Sequence, residues 1–276
     1  AIMAEHTLAE HYDFGDAAPI TTFSHVTAPV QVDVGNRRLQ SGGCSKYKVV
    51  NVALVYDSAF CGIYESFSKA EQRIMTIAAS ASALYERDMC VKLQLTDIYT
   101  PDTTCGGASK TFEAFNFQNA CGGSTSLLGD FSEWTRNNRD QARINDDALV
   151  HMFTGSQRPA GVIGCSWTGV FCVPEWSFGI EYMIFSKNIV AQTVVYAHEI
   201  GHKYVLDFDL SSVSFEQRAK PFFSHCSLNA RHVSDDDNRF SYIMEARLSS
   251  GADGFSSDSV NVILSYLNMP RVTCDF

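Results

Sequence analysis

Apolar residues along the chain follow two different spacings, which separate predicted strands from predicted helices. Runs rich in β-branched and aromatic residues predict strands over residues 47–56, 91–99, 147–154, 161–167 and 178–185. Apolar positions that recur at three and four residues predict helices over residues 66–87, 127–139, 188–202 and 257–267. This order of elements predicts a mixed α/β (α+β) layered domain. Within it, 161–167 is expected at the edge of the sheet, and 178–185 is a strand or one arm of a hairpin.

The composition is that of a globular protein. Hydrophobic residues make up 45% and charged residues 19% of the 276 residues, which is enough apolar material for a sizeable core. A net charge of −10 argues against nucleic acid or anionic lipid as the main partner. No apolar run approaches the ~20 residues that a transmembrane helix needs, so no membrane span is expected.

Nine cysteines are dispersed along the chain without a CxxC pair, which argues against a zinc site built from cysteines. Such dispersed cysteines favour disulfide bonds and an oxidising compartment, so we expect a secreted, extracellular protein. Because the count is odd, at least one thiol is free, bound to metal or paired with another chain, which allows an intermolecular disulfide. The loop that holds Cys105 and Cys121 suggests a local disulfide between these two residues.

The segment with the clearest chemistry is His198-Glu199-Ile200-Gly201-His202, an HExxH motif inside the predicted helix 188–202. Histidines four residues apart lie on one face of a helix, one turn apart, and can share a zinc ion. Glu199 lies between them and can take a proton from a zinc-bound water, whose pKa falls to about 7. The motif therefore predicts a zinc peptidase, with His198 and His202 as metal ligands and Glu199 as the general base.

Together with three further segments, this motif makes residues 47–276 resemble the metzincin zinc peptidases of the ADAM and adamalysin (reprolysin) group. The first strand, 50–56, is similar to the opening strand of that family. Residues 153–155 and 161–167, followed by Cys172, resemble its substrate-binding edge strand. Tyr242-Ile243-Met244 resembles its Met-turn, in which Met244 would lie under the metal.

The resemblance implies a metzincin catalytic domain with a twisted mixed sheet, a long active-site helix and an irregular C-terminal subdomain. It implies an endopeptidase for protein or peptide substrates, in which zinc polarises the carbonyl of the bond to be cleaved. Substrate would pair as an added β-strand with the edge strand. The residues expected to bind substrate there are Ile163, Gly164, Cys165 and Trp167.

The third metal ligand is where the chain departs from the family motif, HExxHxxGxxH. Val205 stands at the glycine position and Phe208 at the third histidine position. Asp209 is our first candidate for a substitute ligand, provided that the chain turns after the helix, because a continued helix would place it about 10 Å beyond His202. The other candidates are Asp207, His225, Glu216 and Glu245. Without a third ligand the chain would be an inactive relative that acts as a binding or structural subunit with an extracellular protein partner.

Residues 1–46 are polar and irregular and contain the dibasic pair Arg37-Arg38. We interpret them as a propeptide remnant of a zymogen, with a surface arm as the alternative, and residues 47–276 as the metalloprotease domain. Cys44 could silence the enzyme by binding zinc, but we favour a disulfide, because dispersed cysteines in secreted chains mostly pair. His151 is interpreted as a satisfied polar group of the core rather than a ligand.

Overall fold

The structure is a computed structural model that describes residues 44–121, 125–140, 142, 144, 148–157, 162–171, 173–204, 243–244 and 254–267. Five strands run through these residues: β1 (Lys48–Tyr56), β2 (Val91–Tyr99), β3 (Leu149–Thr154), β4 (Gly164–Ser166) and β5 (Phe178–Tyr182). The helices are α1 (Ser58–Tyr64), α2 (Phe67–Met89), α3 (Leu127–Asn138), α4 (Ile189–His202) and α5 (Ser257–Leu267). A 3₁₀ turn, Met183–Phe185, connects β5 to the segment before α4.

The strands form one sheet in the order β2-β1-β3-β5-β4. The first four strands in that order are parallel, and β4 lies antiparallel to β5 at the edge of the sheet. Parallel strands need helical crossovers, which agrees with the alternation of helices and strands along the chain. The predicted mixed α/β fold and the edge position of the 161–167 segment are therefore confirmed.

Side chains of β1 alternate between two apolar cores, because successive residues of a strand point to opposite faces of the sheet. Leu54 and Tyr56 pack on the face that α2, α4 and α5 cover. Ala53 and Val55 pack on the opposite face with residues of α3. The described part of the chain is thus a three-layer arrangement, in which α4 and α2 share one face of the sheet and contact each other.

Helix boundaries follow capping chemistry that the sequence contains. The side chains of Ser66, Ser126 and Asn188 accept hydrogen bonds from backbone N–H groups in the first turns of α2, α3 and α4. Such caps satisfy donors that the helix itself leaves unpaired. The predicted helices therefore match the observed ones to within a few residues.

Helix α1 was not predicted, because its seven residues are too short for a periodic pattern. Asp57 caps it: the buried carboxylate accepts hydrogen bonds from the N–H groups of Phe60 at 2.7 Å and Gly155 at 3.1 Å. The same side chain also accepts from the hydroxyl of Thr154 at the end of β3. One buried aspartate thus starts α1 and ties it to the central strand.

Three disulfides join the described residues, and they correct the predicted pairing of Cys105 with Cys121. Cys105 is bonded to Cys61 in α1, and Cys121 is bonded to Cys165 in the edge strand β4. The local pairing was wrong because both cysteines of that loop find partners on regular elements. The third bond joins Cys44 to Cys90, as the disulfide interpretation of Cys44 predicted.

Several predictions concern residues that the structure does not describe. These include the propeptide assignment of residues 1–46, of which only 44–46 are described. Three of the nine cysteines, Cys172, Cys226 and Cys274, also lie outside the described residues. Among the described helices, none combines the length and the apolar character that crossing a membrane requires.

Candidate metal centre

Helix α4 carries the HExxH motif into the interior of the protein. His198, Glu199 and His202 are all buried, with 7%, 5% and 3% of their surfaces exposed. The helix is apolar on most sides, and Tyr85 of α2 donates a hydrogen bond to the carbonyl of Ala197 at 2.8 Å. Burial on a fixed helix holds the three polar side chains in one geometry.

The two histidine rings converge through the nitrogens that a metal would use. The Nε2 atoms of His198 and His202 lie 2.9 Å apart, and the rings are nearly perpendicular, at 87°. The Nδ1 of His198 lies 2.6 Å from the carbonyl oxygen of Ile243. Because a carbonyl only accepts, this Nδ1 carries the proton, so Nε2, which faces His202, is the nitrogen of His198 that can bind a cation.

This donor set fits zinc. Two neutral imidazoles on one helix face, one of them oriented by a backbone carbonyl, form the usual arrangement of zinc ligands and their supporting contacts. Within the described residues there is no group of three potential metal ligands. Asp209 and the alternatives Asp207, His225, Glu216 and Glu245 all lie outside the described residues, so their ligand role stays a prediction.

Met244 lies against α4 at Gly201, the residue before His202, and its predicted place under a metal stays a prediction. A methyl group placed on Gly201 would collide with the Met244 sulfur and would come within 3.4 Å of the Tyr85 hydroxyl. Ile243, the preceding residue, donates its N–H to the carbonyl of Gly254 at 2.9 Å and so links this turn to the segment before α5. Gly201 is therefore the residue that lets the turn approach the helix.

The carboxylate of Glu199 lies against the backbone of the edge strand. A methyl group on Gly164 would come within 2.6 Å of Glu199 Oε1 and 2.9 Å of its Cδ. Burial raises the pKa of Glu199 to about 8, whereas the nearby Ser166 hydroxyl and the positive charge of Lys203 lower it. A carboxyl group with such a pKa is suited to accept and release a proton near neutral pH.

Along β4, the backbone N–H and C=O groups of successive residues point alternately toward β5 and away from it. Ile163 and Trp167 form backbone hydrogen bonds with β5 or its neighbours, so the alternation of antiparallel pairing turns the N–H and C=O groups of Gly164 and Ser166 outward. The sequence prediction named Gly164 but not Ser166 among the residues expected to bind substrate, and that role stays a prediction for both. Knowing which residues of the strand face outward requires the register with β5, which the sequence does not supply.

The other predicted substrate-binding residues have different surroundings. The side chain of Cys165 is buried in its disulfide with Cys121, and Ile163 is half-buried. Trp167 is buried, and its indole N–H donates to the hydroxyl of Ser132 at 2.9 Å. The structure thus places all four residues on or beside one strand next to Glu199, and two of them face the core.

Three ionisable residues near Glu199 were not singled out as site residues. Glu181, Lys203 and His151 are fully buried. Contrary to expectation, His151 is not satisfied, since neither ring nitrogen has a hydrogen-bond partner among the described residues and its Nδ1 lies 3.5 Å from Glu181. Two sequence features could have indicated these buried residues. One is the single carboxylate, Glu181, inside the apolar segment Phe178–Tyr182, and the other is Lys203, four residues after Glu199.

The sequence is similar to those of known proteins. The family model for metallopeptidase family M12 (Reprolysin_5) matches residues 46–256. The chain is 25% identical over 238 residues to the disintegrin and metalloproteinase domain-containing protein B of Aspergillus fumigatus, covering 84% of this chain and 29% of the relative. The protein of the same name from Trichophyton verrucosum is 25% identical over 242 residues, covering 82% and 29%.

The chain thus spans less than a third of the length of these relatives. The family match extends over most of the chain and contains every described residue of the candidate metal centre. The chain belongs to metallopeptidase family M12, as a reprolysin-like metzincin.

Proposed function

We propose that this domain is a zinc-dependent endopeptidase that hydrolyses peptide bonds in extended protein substrates. The observation that carries the proposal is the convergence of the His198 and His202 Nε2 atoms, 2.9 Å apart, beside the buried carboxylate of Glu199. Family M12 membership gives the reaction class.

In this proposal the three polar residues of the HExxH motif have separate roles. His198 and His202 hold the metal, and the carbonyl of Ile243 keeps His198 in the tautomer that exposes Nε2. Zinc, when bound, supplies a Lewis acid that polarises a carbonyl and makes water more acidic. Glu199 takes the proton of the attacking water and delivers it to the leaving amine, and its contact with Gly164 fixes the direction of the carboxylate.

An extended peptide would bind by adding a strand to the open edge of β4. The outward N–H and C=O groups of Gly164 and Ser166 are available for that pairing, and Gly164 also touches Glu199. A peptide paired there would therefore lie with its backbone close to the base. This arrangement favours recognition of the substrate through its main chain, rather than through one particular side chain.

The alternative is an inactive relative that binds a protein partner. The observation in its favour is the broken motif, with Val205 and Phe208 where the glycine and the third histidine are expected. Two histidines alone hold zinc weakly, because catalytic zinc normally has three protein ligands. In this alternative the edge strand would still bind peptide, but no bond would be cleaved.

We also propose that the domain works in a secretory or extracellular compartment. The three disulfides support this, because such bonds persist under oxidising conditions.

The test is hydrolysis of a casein-like substrate by the zinc-loaded protein and its Glu199→Gln variant, with zinc content measured for both. We expect the variant to lose about 10²- to 10⁴-fold in kcat, because the general base is gone. Glu133→Gln, at an exposed position of α3, is the matched control and should retain full activity. Hydrolysis by Glu199→Gln at the wild-type rate would exclude the proposed base, and a zinc-loaded wild type without hydrolysis would favour the inactive alternative.

A further inference from the structure

The carboxyl end of α4 is hydrogen-bonded to the chain that follows the edge strand. We call residues 168–171, which come shortly after β4, the capping segment. The N–H of Gly169 donates to the carbonyl of His202 at 3.1 Å. The N–H of Phe171 donates to the carbonyl of Lys203, also at 3.1 Å. Two donors from outside the helix thus reach the carbonyl groups at its end.

These bonds complete the hydrogen bonding of the helix end, where an α-helix leaves its last four carbonyl groups without internal partners. The N–H of Lys203 donates to the carbonyl of Ile200 at 3.1 Å. The N–H of Tyr204 donates to the carbonyl of Gly201 at 3.1 Å, so the last turn tightens to bonds between residues three apart. Together with the capping segment, these bonds give every carbonyl of residues 200–203 a partner. The helix can therefore end here without leaving buried carbonyl groups unpaired.

This way of ending the helix bears on the broken motif, in which Val205 stands at the glycine position. A glycine in the left-handed conformation is the usual residue just after a helix. In this chain α4 ends at His202, three residues before Val205, and neither Lys203 nor Tyr204 has a positive φ. The bonds to the capping segment therefore supply a helix end that does not depend on a glycine at position 205.

The capping segment is itself fixed on both sides. Val170 is buried in the core that contains residues of α3, and Phe171 is buried in the core that contains residues of α4. The rings of Phe171 and Tyr204 pack with their centroids 4.6 Å apart. Gly169 has a φ of +63°, a left-handed conformation that residues with a side chain rarely adopt. A glycine at this position thus lets the chain turn from the edge strand to the helix end.

His202 depends on this helix end more than the other motif residues do. It is the last residue of α4, and helix ends fray. Its carbonyl accepts the bond from Gly169, and its ring Nε2 lies 2.9 Å from Nε2 of His198, one turn earlier. Fraying of the last turn would move the nitrogen of His202 and leave that of His198 in place.

We propose that the capping segment holds His202 in position for the metal and that Gly169 is the positioning residue at its centre. This inference rests on the proposed function for its metal-binding consequence, while the cap itself is a property of the folded, metal-free chain. Gly169 touches neither substrate nor metal in this role. It acts through the backbone of His202.

Hydrogen exchange of the metal-free protein tests the cap without reference to metal or activity. Exchange of single backbone N–H groups is followed by NMR for the wild type, Gly169→Ala and Gly107→Ala. Gly107 is the matched control, because it also has a left-handed φ, +81°, and the space around it is open. It lies in the loop after β2.

Both alanine variants should melt roughly 5 °C below the wild type, because alanine is strained at a left-handed φ. In the wild type the N–H groups of Gly169 and Phe171 should be protected from exchange. Only in Gly169→Ala should the N–H groups of Phe171 and Tyr204 exchange about tenfold faster than in the wild type, because only this variant opens the cap.

Zinc affinity then measures whether the cap matters for the metal. The Kd for zinc is determined by competition with a chromophoric chelator, at a temperature at which every variant is folded. Groups that support metal ligands contribute about 10- to 100-fold in metal affinity, so Gly169→Ala should bind zinc at least about 10-fold more weakly than the wild type. Gly169→Asn should recover part of the loss, because asparagine adopts a left-handed φ more readily than alanine. Gly107→Ala should bind zinc like the wild type.

The outcomes distinguish this inference from the proposed function. Unprotected N–H groups at Gly169 and Phe171 in the wild type, or equal exchange in the two alanine variants, would overturn the cap. A zinc Kd for Gly169→Ala within about twofold of that for Gly107→Ala would overturn the positioning role.

Two further results concern the proposed function. A wild type that binds zinc but hydrolyses no peptide would refute that function, and the zinc affinities would still decide the positioning role. A wild type that binds no zinc would refute both the proposed function and the positioning role, and hydrogen exchange would then decide the cap alone.

Discussion

The Nδ1 atom of His198 lies 2.6 Å from the carbonyl oxygen of Ile243, a residue 45 positions further along the chain. This contact fixes one ring of the candidate metal centre from outside its own helix. The next residue, Met244, lies against Gly201 on the same helix. The metal-binding geometry therefore depends on how closely this turn approaches α4.

Gly201→Ala tests that approach. Alanine in a helix is favoured over glycine by about 1 kcal/mol, but the added methyl group would collide with Met244, and overpacking costs about 1–3 kcal/mol. We therefore expect Gly201→Ala to lower stability in the wild type and to raise it when combined with Met244→Ala. Urea unfolding of the four proteins measures both effects. If Gly201→Ala changed the free energy of unfolding equally in the wild type and in Met244→Ala, Gly201 and Met244 would not be in close contact.

Gly164→Ala should impair the chemistry more than the fold. The added methyl group would lie 2.6 Å from Glu199 Oε1, so the carboxylate must rotate away from the edge strand. A displacement of about 1 Å at a reacting group can cost on the order of 10²-fold in rate. We expect a kcat loss of about 10- to 100-fold at unchanged zinc content. Wild-type kcat in this variant would show that the Glu199–Gly164 contact does not orient the base.

The disulfide between Cys121 and Cys165 should matter for substrate binding as well as for stability. It anchors the edge strand, and its cysteines are 44 residues apart. In the chain-entropy description, removing a bond across such a loop costs about 4 kcal/mol. The variant with serine at both positions should be less stable by roughly that amount and should show a raised KM for peptides.

The bond between Cys44 and Cys90 provides a matched control for that prediction. Its cysteines are 46 residues apart, and Cys90 immediately precedes β2, at the opposite edge of the sheet. Replacing this pair with serines should lower stability by a similar amount and leave KM unchanged. Equal KM changes in the two variants would mean that peptide binding does not depend specifically on the bond between Cys121 and Cys165.

The stability of the metal-free protein should fall as the pH rises, in part because of Glu199. Burial raises the pKa of Glu199 in the folded chain to about 8, above the ordinary value of 4.5 that applies when the chain unfolds. Between these two values the folded state binds the proton more tightly than the unfolded state, so stability falls from pH 4.5 toward pH 8.

Glu199→Gln removes this contribution. The wild type should therefore lose melting temperature relative to Glu199→Gln between pH 5 and pH 8, with both proteins measured in the presence of a chelator. If the melting temperatures of the two proteins changed equally over this pH range, burial would not raise the pKa of Glu199. Added zinc should reduce the difference, because a nearby cation favours the ionised carboxylate.

The local elements were largely predictable because their causes are local. The helix 188–202 begins at a capping asparagine and carries its apolar residues at helical spacing, and α4 has nearly those bounds. The convergence of His198 and His202 was predictable for the same reason, since their spacing within one helix already sets their geometry. Helix α1 escaped prediction because its seven residues are too short for a periodic pattern, although its cap, Asp57 to the N–H of Phe60, is local.

Features that depend on register or on long-range contacts were not predictable. The outward orientation of Ser166 follows from the pairing of β4 with β5, and the partner of Cys121 follows from the position of Cys165 at the sheet edge. The close approach of Glu199 to β4, and of His151 and Ser166 to β5, requires knowing that Gly164 and Gly179 leave space there. Such relationships join distant segments, and the pattern of a single segment cannot reveal them.

Zinc content tests the central claim most directly. The protein is purified without chelator, dialysed against trace zinc and analysed by native mass spectrometry together with the His198→Ala and His202→Ala variants. If α4 holds a catalytic metal, the wild type carries about one zinc per chain, and each variant loses most of it. A wild type with less than about half a zinc per chain, or variants that retain the wild-type amount, would contradict the zinc peptidase assignment.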